Sequence, residues 1–544
     1  MKSIDSQNSP ACIPEAASSA PGFLGNPRLR ELFRWCLPAL IVGALLRIAV
    51  TMDMPYGYTQ YDSADYLTTT RAFIKEHRLH IHSKRSFLTP VLFSLPFLLP
   101  VPALLVIPAA QHGMGLIGIL ITGAIVRLWF THWKLFVIPA TLLVGASPMI
   151  IWYEHTLLGE AQYLFFSLLV AYAATVWVKR PSWGTFAFFL ASLVLVTGTR
   201  LEGKLYFCVA LALIPFVLWG RWRAMLVHAL VAAGLMAGGF AASGGRDGSP
   251  LLLATILHLA PDHFQSAPEL EPYLIPLRDE LRRSYPEYPA ELVETSKKLT
   301  KAADQCFKDI GTGEKKDREK RQGKALRAVC LEILSAHPCE VLELPFLKFR
   351  LAVDAWSAYC WNEHYLHQRQ AEALTQKEWM APVLSKGLTG KKQTPEELAE
   401  WVKAHFDVQR IQWFTDYQTL WNNAGLYCRT PDRPAAQERW VHDFFGGVPG
   451  GLRTVPGWPF FYPLALLGMA AAILRWRNLG CLHLMWAGCM MGIWYAAMMV
   501  GVTNGRFRFA YEPFCLLYFL LLLDILWDAG RSLRKPQLPL SPVL

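Results

Sequence analysis

Charge is scarce in this sequence: only 17% of its 544 residues are Asp, Glu, Lys or Arg, against 53% hydrophobic. Soluble globular chains carry about a quarter charged residues, so this composition excludes an ordinary soluble enzyme. Paired cysteines are missing too. The 11 cysteines include no CxxC spacing, which removes zinc-ribbon and thioredoxin-like sites. No internal repeat is visible. The first 30 residues are rich in Pro, Ser and Ala and lack the basic start, apolar core and small-residue cleavage site of a secretory leader. Residues 1–33 read as a disordered cytoplasmic tail.

What the chain does contain is apolar runs of about 20 residues, the length that crosses roughly 30 Å of hydrocarbon. Ten spans can be drawn, at 34–51, 104–129, 134–151, 160–178, 183–198, 204–220, 224–244, 457–474, 480–501 and 509–527. The expected fold is therefore an all-α polytopic membrane protein with about ten transmembrane helices. Alternate connections carry Arg127/Lys134, Lys179/Arg180, Arg221/Arg223 and Arg475/Arg477, each with no acid. By the positive-inside rule that side is cytoplasmic, together with the basic 528–544 tail. Both termini are then expected in the cytoplasm, in a bacterial cytoplasmic membrane, with the other face periplasmic or exterior.

The formal charge of +11 belongs to the membrane part. Residues 246–456 carry 28 basic and 29 acidic side chains, or −1, which leaves +12 for the rest. No clustered basic face is present, so nucleic acid is not an expected partner. The run 314–324, "EKKDREKRQGK", has mixed signs and reads as a solvated helix or loop. Residues 246–456 form one extracytoplasmic, mostly helical domain. Thr394 followed by Glu397 is a capping-box signature, and "KALRAVCLEILSAHP" has helical spacing up to Pro338. Cys306, Cys330, Cys339, Cys360 and Cys428 suit either one or two disulfides or free buried thiols.

The ionisable residues that oppose the topology signal gather on the outer side. The first outer loop (52–100) holds Asp62 and Asp65, then an amphipathic stretch with Tyr66, Thr70, Phe73 and Ile74 on one face. Lys84 and Arg85 approach the second span. Glu154, His155 and Glu160 lie in the second outer connection, Arg200, Glu202 and Lys204 in the third, and Arg506 and Arg508 before the last span. Snorkelling to lipid phosphates explains any one such base, and a helix N-terminus explains Glu160. Acids and bases in every short outer connection point instead to a site. His77, His80 and His82 lack a carboxylate at metal-binding spacing. No metal or cofactor is assigned from them, and a divalent ion stays open. Carboxylates beside cations at the outer leaflet suit transfer from a lipid-linked sugar phosphate. Cations stabilise the leaving phosphate, and a carboxylate takes the proton of an acceptor hydroxyl. A transporter or flippase of a lipid-linked saccharide would want similar cations, but repeated halves and mid-membrane polar groups mark many transporters.

Several pieces together resemble the GT-C class of polytopic membrane glycosyltransferases, in the group that includes protein O-mannosyltransferases and lipid A aminoarabinose transferases. They are "ALLRIAV", "YDSADYLTTTRAF", "SKRSFLTPVLFSLPFLL", "SPMIIWYEHTLLGEAQYLFFSLLVAY", "LVLVTGTRLEGKLYF" and "NGRFRFAYEPFCLLYFLLLLDIL". The resemblance implies inverting transfer from a polyprenyl-phosphate sugar to a lipid, glycan or protein acceptor. It implies Asp62 as catalytic base, because Tyr66 completes an Asp-x-x-x-Tyr pattern. The family's adjacent Asp-Glu pair is absent, since Ser63 follows Asp62, and Asp65 is the rival. Glu160 matches the acid that opens the fourth span. Lys84 or Arg85, with Arg506 and Arg508, match the donor-phosphate contacts, to which Arg200 and Lys204 are added. Tyr66, Glu154, His155 and Glu202 complete the expected substrate-binding set. The 246–456 domain does not resemble the β-rich insert of the eukaryotic mannosyltransferases.

Overall fold

The computed structural model describes residues 26–54, 57–58, 63–77, 86–98, 103–242, 249–284, 292–310, 315–344, 458–475, 477–500 and 512–534, with single positions between 394 and 417. Helices occupy all ten of the expected apolar stretches. Among the described residues, four of them are long and apolar enough to cross a membrane, and one bent pair counted as a single span makes a fifth.

Helix α1 (Pro27–Asp53) starts with Asn26, whose side chain accepts from the Arg28 amide, and with proline at its first position. Its two faces separate at three- and four-residue spacing. Leu32, Cys36, Ala39, Gly43, Arg47 and Val50 are buried, while Phe33, Leu37, Ile41, Leu45, Ile48 and Met52 are exposed. An apolar face left outside and a mixed face packed inside are what lipid as solvent selects. Helix α2 (Ser63–Glu76) is the amphipathic stretch expected after the first span. Tyr66 and Thr70 are buried, Phe73 and Ile74 are half-buried, and Lys75 and Glu76 are exposed. It packs on α3 (Leu88–Leu98), a short apolar helix not foreseen as a separate element.

Helix α4 (Ala103–Trp129) continues past Pro108 and packs against α1. The 134–151 span is broken. Helix α5 (Trp133–Gly145) and α6 (Pro148–His155) meet at 45°. The cause is local: Ser147 caps α6 through the Ile150 amide, and Pro148 cannot continue α5. Helix α7 (Glu160–Lys179) is the most enclosed of the four long apolar helices, and α8 (Trp183–Thr199), α9 (Leu205–Val217) and α10 (Trp222–Ala242) follow. Trp129 Nε1 donates to Thr175 Oγ1 at 2.9 Å, joining α4 to α7.

A second, separate core forms in the insert. Helices α11 (Ser249–Ile256), α12 (Glu271–Ser284), α13 (Leu292–Asp309) and α14 (Lys315–Ala336) bury Leu253, Ile256, Phe264, Leu274, Leu299, Val329 and Ile333. The mixed-charge run lies in α14. Cys306 and Cys330 are buried and Cys339 is exposed; Cys360 and Cys428 lie outside the described residues. The capping box is formed: Thr394 Oγ1 accepts from the Glu397 amide at 3.2 Å, and Glu397 Oε2 accepts from the Thr394 amide at 2.9 Å.

The chain closes with α15 (Trp458–Arg475), α16 (Arg477–Val500) and α17 (Glu512–Arg534). Asp524 of α17 is fully buried and accepts from the amides of Thr131 and His132 at 2.8 and 3.0 Å. It ties the last helix to the α4–α5 turn.

Candidate functional site

Three separate connections meet at the end of the bundle where α1 and α8 finish and α7 begins. Glu160 is the first residue of α7, where the helix dipole favours a carboxylate. Only 1% of its side chain is exposed, and Oε1 accepts from Arg200 Nη1 at 2.7 Å. Arg200 follows α8 with an extended backbone, so its side chain turns back toward α7. Its other edge, Nε and Nη2, donates to Glu202 Oε2 and Oε1, both at 3.2 Å.

Glu202 sits on the short 3-10 turn Leu201–Lys204, and 28% of its side chain is exposed. The turn is pressed against the end of α8. Gly203 packs there so closely that an added Cβ would meet the Val196 carbonyl oxygen at 2.5 Å, and its own carbonyl accepts from Thr197 Oγ1 at 3.1 Å. Burial works against the charged form of Arg200. The carboxylates of Glu202 and Glu160 outweigh it, so the guanidinium sits well above its ordinary range. Lys204 is half-buried.

Tyrosines complete the wall. The Arg200 guanidinium carbon lies 5.7 Å from the Tyr163 ring centre. Tyr66 reaches over from α2, its hydroxyl 3.1 Å from where a Cβ on Gly159 would stand. Thr89 of α3 donates to Gln162 of α7 at 3.1 Å. Asp65 stands in the first turn of α2, half-buried. The structure thus brings together Tyr66, Glu160, Arg200 and Glu202, with Lys204 closing the turn that carries Glu202 and Asp65 next to Tyr66 in the chain. Asp62, Lys84, Arg85, Arg506 and Arg508 lie outside the described residues.

Glu154 and His155 belong to a second cluster, deeper in the bundle. Arg47 Nε and Nη2 donate to Glu154 Oε2 and Oε1, both at 2.7 Å, and the two side chains are 3% and 2% exposed. Arg47 Nη1 also donates to the carbonyls of Gly43 and Gly145, at 2.9 and 2.8 Å. The second of these is the carbonyl left over where α5 breaks. His112 Nδ1 stands 2.9 Å from Glu154, and its Nε2 stands 3.1 Å from His155 Nδ1. A carboxylate accepts only, so His112 donates from Nδ1. Gly115 leaves the room for this pair, because a Cβ there would overlap Glu154 Oε1. The backbone of His155 and Leu157 brackets Tyr58, with Tyr58 N donating to His155 O at 2.9 Å and Leu157 N donating to Tyr58 O at 2.8 Å. The loop that leads to Asp62 is thereby pinned four residues before it.

Sequence reading passed over Arg47, His112 and Asp524. Each is an ionisable residue inside an apolar run, which is itself a signal of a buried partner. It also passed over two tethers from the insert. Trp413 Nε1 donates to Asp53 Oδ2 at 2.6 Å, and the Tyr417 hydroxyl donates to the Ala146 carbonyl.

No protein-family model and no curated protein matches the sequence. Three solved structures match the fold. An archaeal oligosaccharyltransferase AglB from Archaeoglobus fulgidus, solved with an inhibitory peptide and a dolichol-phosphate, is 14% identical with a TM-score of 0.39. An Archaeoglobus fulgidus oligosaccharyltransferase solved with zinc and sulfate is 12% identical with a TM-score of 0.37. The matches cover 92% and 91% of this chain and 52% and 50% of those chains, so it spans about half their length. ArnT from Cupriavidus metallidurans bound to undecaprenyl phosphate is 13% identical with a TM-score of 0.27, over 92% of this chain and 79% of that one. These neighbours fall in the GT-C class that the sequence motifs resemble.

Proposed function

We propose that this chain is a membrane glycosyltransferase that moves a sugar from a polyprenyl-phosphate donor to a hydroxyl of a lipid, glycan or protein acceptor, with inversion, on the extracytoplasmic face. The observation that carries this is the meeting of Glu160, Arg200, Glu202 and Tyr66, from connections far apart in sequence, at one end of an apolar bundle. Carboxylates beside a guanidinium at a bundle end suit a lipid phosphate whose tail lies between helices.

Asp62 directly precedes α2 and acts as general base. It accepts the proton of the acceptor hydroxyl as that oxygen attacks the anomeric carbon from the face opposite the phosphate. The C–O bond to phosphate breaks, and the polyprenyl phosphate leaves as a dianion. Arg200 and Lys204, with Lys84 or Arg85 and with Arg506 and Arg508, stabilise that charge. Glu160 holds Arg200 in place from the buried side. Asp65 is one turn further along α2, with a smaller role.

The test is release of undecaprenyl phosphate from labelled undecaprenyl-phosphate sugars by the purified full-length protein in lipid nanodiscs. Asp62→Asn keeps shape and hydrogen bonding but cannot accept the proton. Turnover falls by roughly 10²–10⁴, while Asp65→Asn loses less. Activity lost in Asp65→Asn but kept in Asp62→Asn swaps the two roles. Movement of the lipid-linked sugar between leaflets without release makes the protein a transporter instead.

A further inference from the structure

The two carboxylates on Arg200 are not equivalent. Glu160 is buried, anchored at a helix N-terminus, and bonds Nη1 at 2.7 Å, a typical length for a charged pair. Glu202 lies on a single 3-10 turn, is 28% exposed, and meets Nε and Nη2 at 3.2 Å, long for such a pair. The edge it occupies is the planar two-donor fork that suits a bidentate phosphate as well as a carboxylate.

Building on the phosphate-donor reading above, we propose that Glu202 is an internal stand-in for the donor phosphate. It covers the Nε/Nη2 edge of Arg200 when no donor is bound and swings out to yield that edge when the lipid phosphate arrives. Glu160 stays on Nη1 throughout and keeps the guanidinium aimed. The exchange swaps one bidentate anion for another, so the buried guanidinium is never left without a counter-charge, which would cost far more than the swap. Glu202 thereby lowers the affinity for the departing polyprenyl phosphate and helps product leave.

The experiment measures binding of undecaprenyl phosphate to the full-length protein in nanodiscs, with undecaprenol as the control for tail binding and inorganic phosphate as competitor. Glu202→Gln removes the competing charge and tightens undecaprenyl phosphate binding about tenfold; Glu202→Asp, with a shorter reach, falls between it and wild type. Arg200→Gln abolishes the preference for the phosphate over undecaprenol. Competition by inorganic phosphate alone would assign the edge to free phosphate rather than the lipid, and would overturn the proposal. Equal or weaker binding by Glu202→Gln, with the Arg200→Gln loss intact, overturns the stand-in role and leaves the donor reading standing. A wild type that prefers undecaprenol or binds neither overturns both. Unfolding temperatures of the variants, matched to wild type, keep misfolding from passing as loss of binding.

Discussion

The two charged clusters use the same residue types for opposite ends. Around Arg47 every bond is short, every partner is buried, and one guanidinium meets one carboxylate in a closed fork. Around Arg200 one guanidinium is divided between a buried carboxylate at 2.7 Å and a half-exposed one at 3.2 Å. The closed pair ties α1 to the α5–α6 break through the Gly145 carbonyl and to Glu154 of α6. The Arg200 pair divides one guanidinium between two carboxylates of unequal burial. Residue type does not separate the two arrangements; the geometry of the hydrogen bonding does.

The contrast can be broken most severely at the closed cluster. Arg47→Ala leaves Glu154 buried without its guanidinium and costs about 3–5 kcal/mol of stability, whereas replacing both by methionine removes the buried charges and costs less, the remaining loss coming from the Gly145 carbonyl and His112 Nδ1 left without those partners. Unfolding in mixed micelles measures both; equal losses would show that the fork is not the source. Arg200→Lys keeps the charge but cannot serve Glu160 and Glu202 together. Turnover drops about 10²-fold, with an unfolding temperature close to wild type, which is the reverse of the Arg47 result. Gly115→Ala intrudes on Glu154 and costs about 1–3 kcal/mol, and the loss shrinks when Glu154 is also shortened, as in Glu154→Ala/Arg47→Met.

The smallest effect lies in the insert, where a carboxylate works alone. Glu332 accepts from the amides of Gln265 and Ser266 at 2.8 and 2.9 Å. Burial alone would raise its carboxyl, but these bonds outweigh it and hold the group below its ordinary 4.5. A depressed carboxyl stabilises the fold above the ordinary value and loses that contribution as pH falls through the folded value. Glu332→Gln therefore speeds exchange of those two amides about fivefold at neutral pH, a change of about 1 kcal/mol. The difference from wild type fades below pH 4.5.

Much of the helical layout could be read from apolar run length alone, and the amphipathic face of α2 and the Thr394–Glu397 box from spacing. The break at Gly145–Pro148 was written in Ser147 and Pro148 but hidden by an unbroken apolar run. Glu160, Arg200 and Glu202 each stood out in the sequence as charged residues in short outer connections; that they share one guanidinium is not a local property, since Glu160 and Arg200 are 40 residues apart. Arg47 meets Glu154 across 107 residues, and no periodicity encodes a partner at that distance. His112 was lost for the same reason.

The insert's two tethers make it more than a passenger. Tyr417 donates to the carbonyl of Ala146, at the kink between α5 and α6, and Trp413 holds Asp53 at the last residue of α1. A backbone oxygen at a helix break in apolar surroundings needs a donor from protein, because lipid has none to offer. Excising the insert would thus remove a splint from the kink beneath it. Swapping in a foreign domain would require a hydroxyl delivered to that same oxygen.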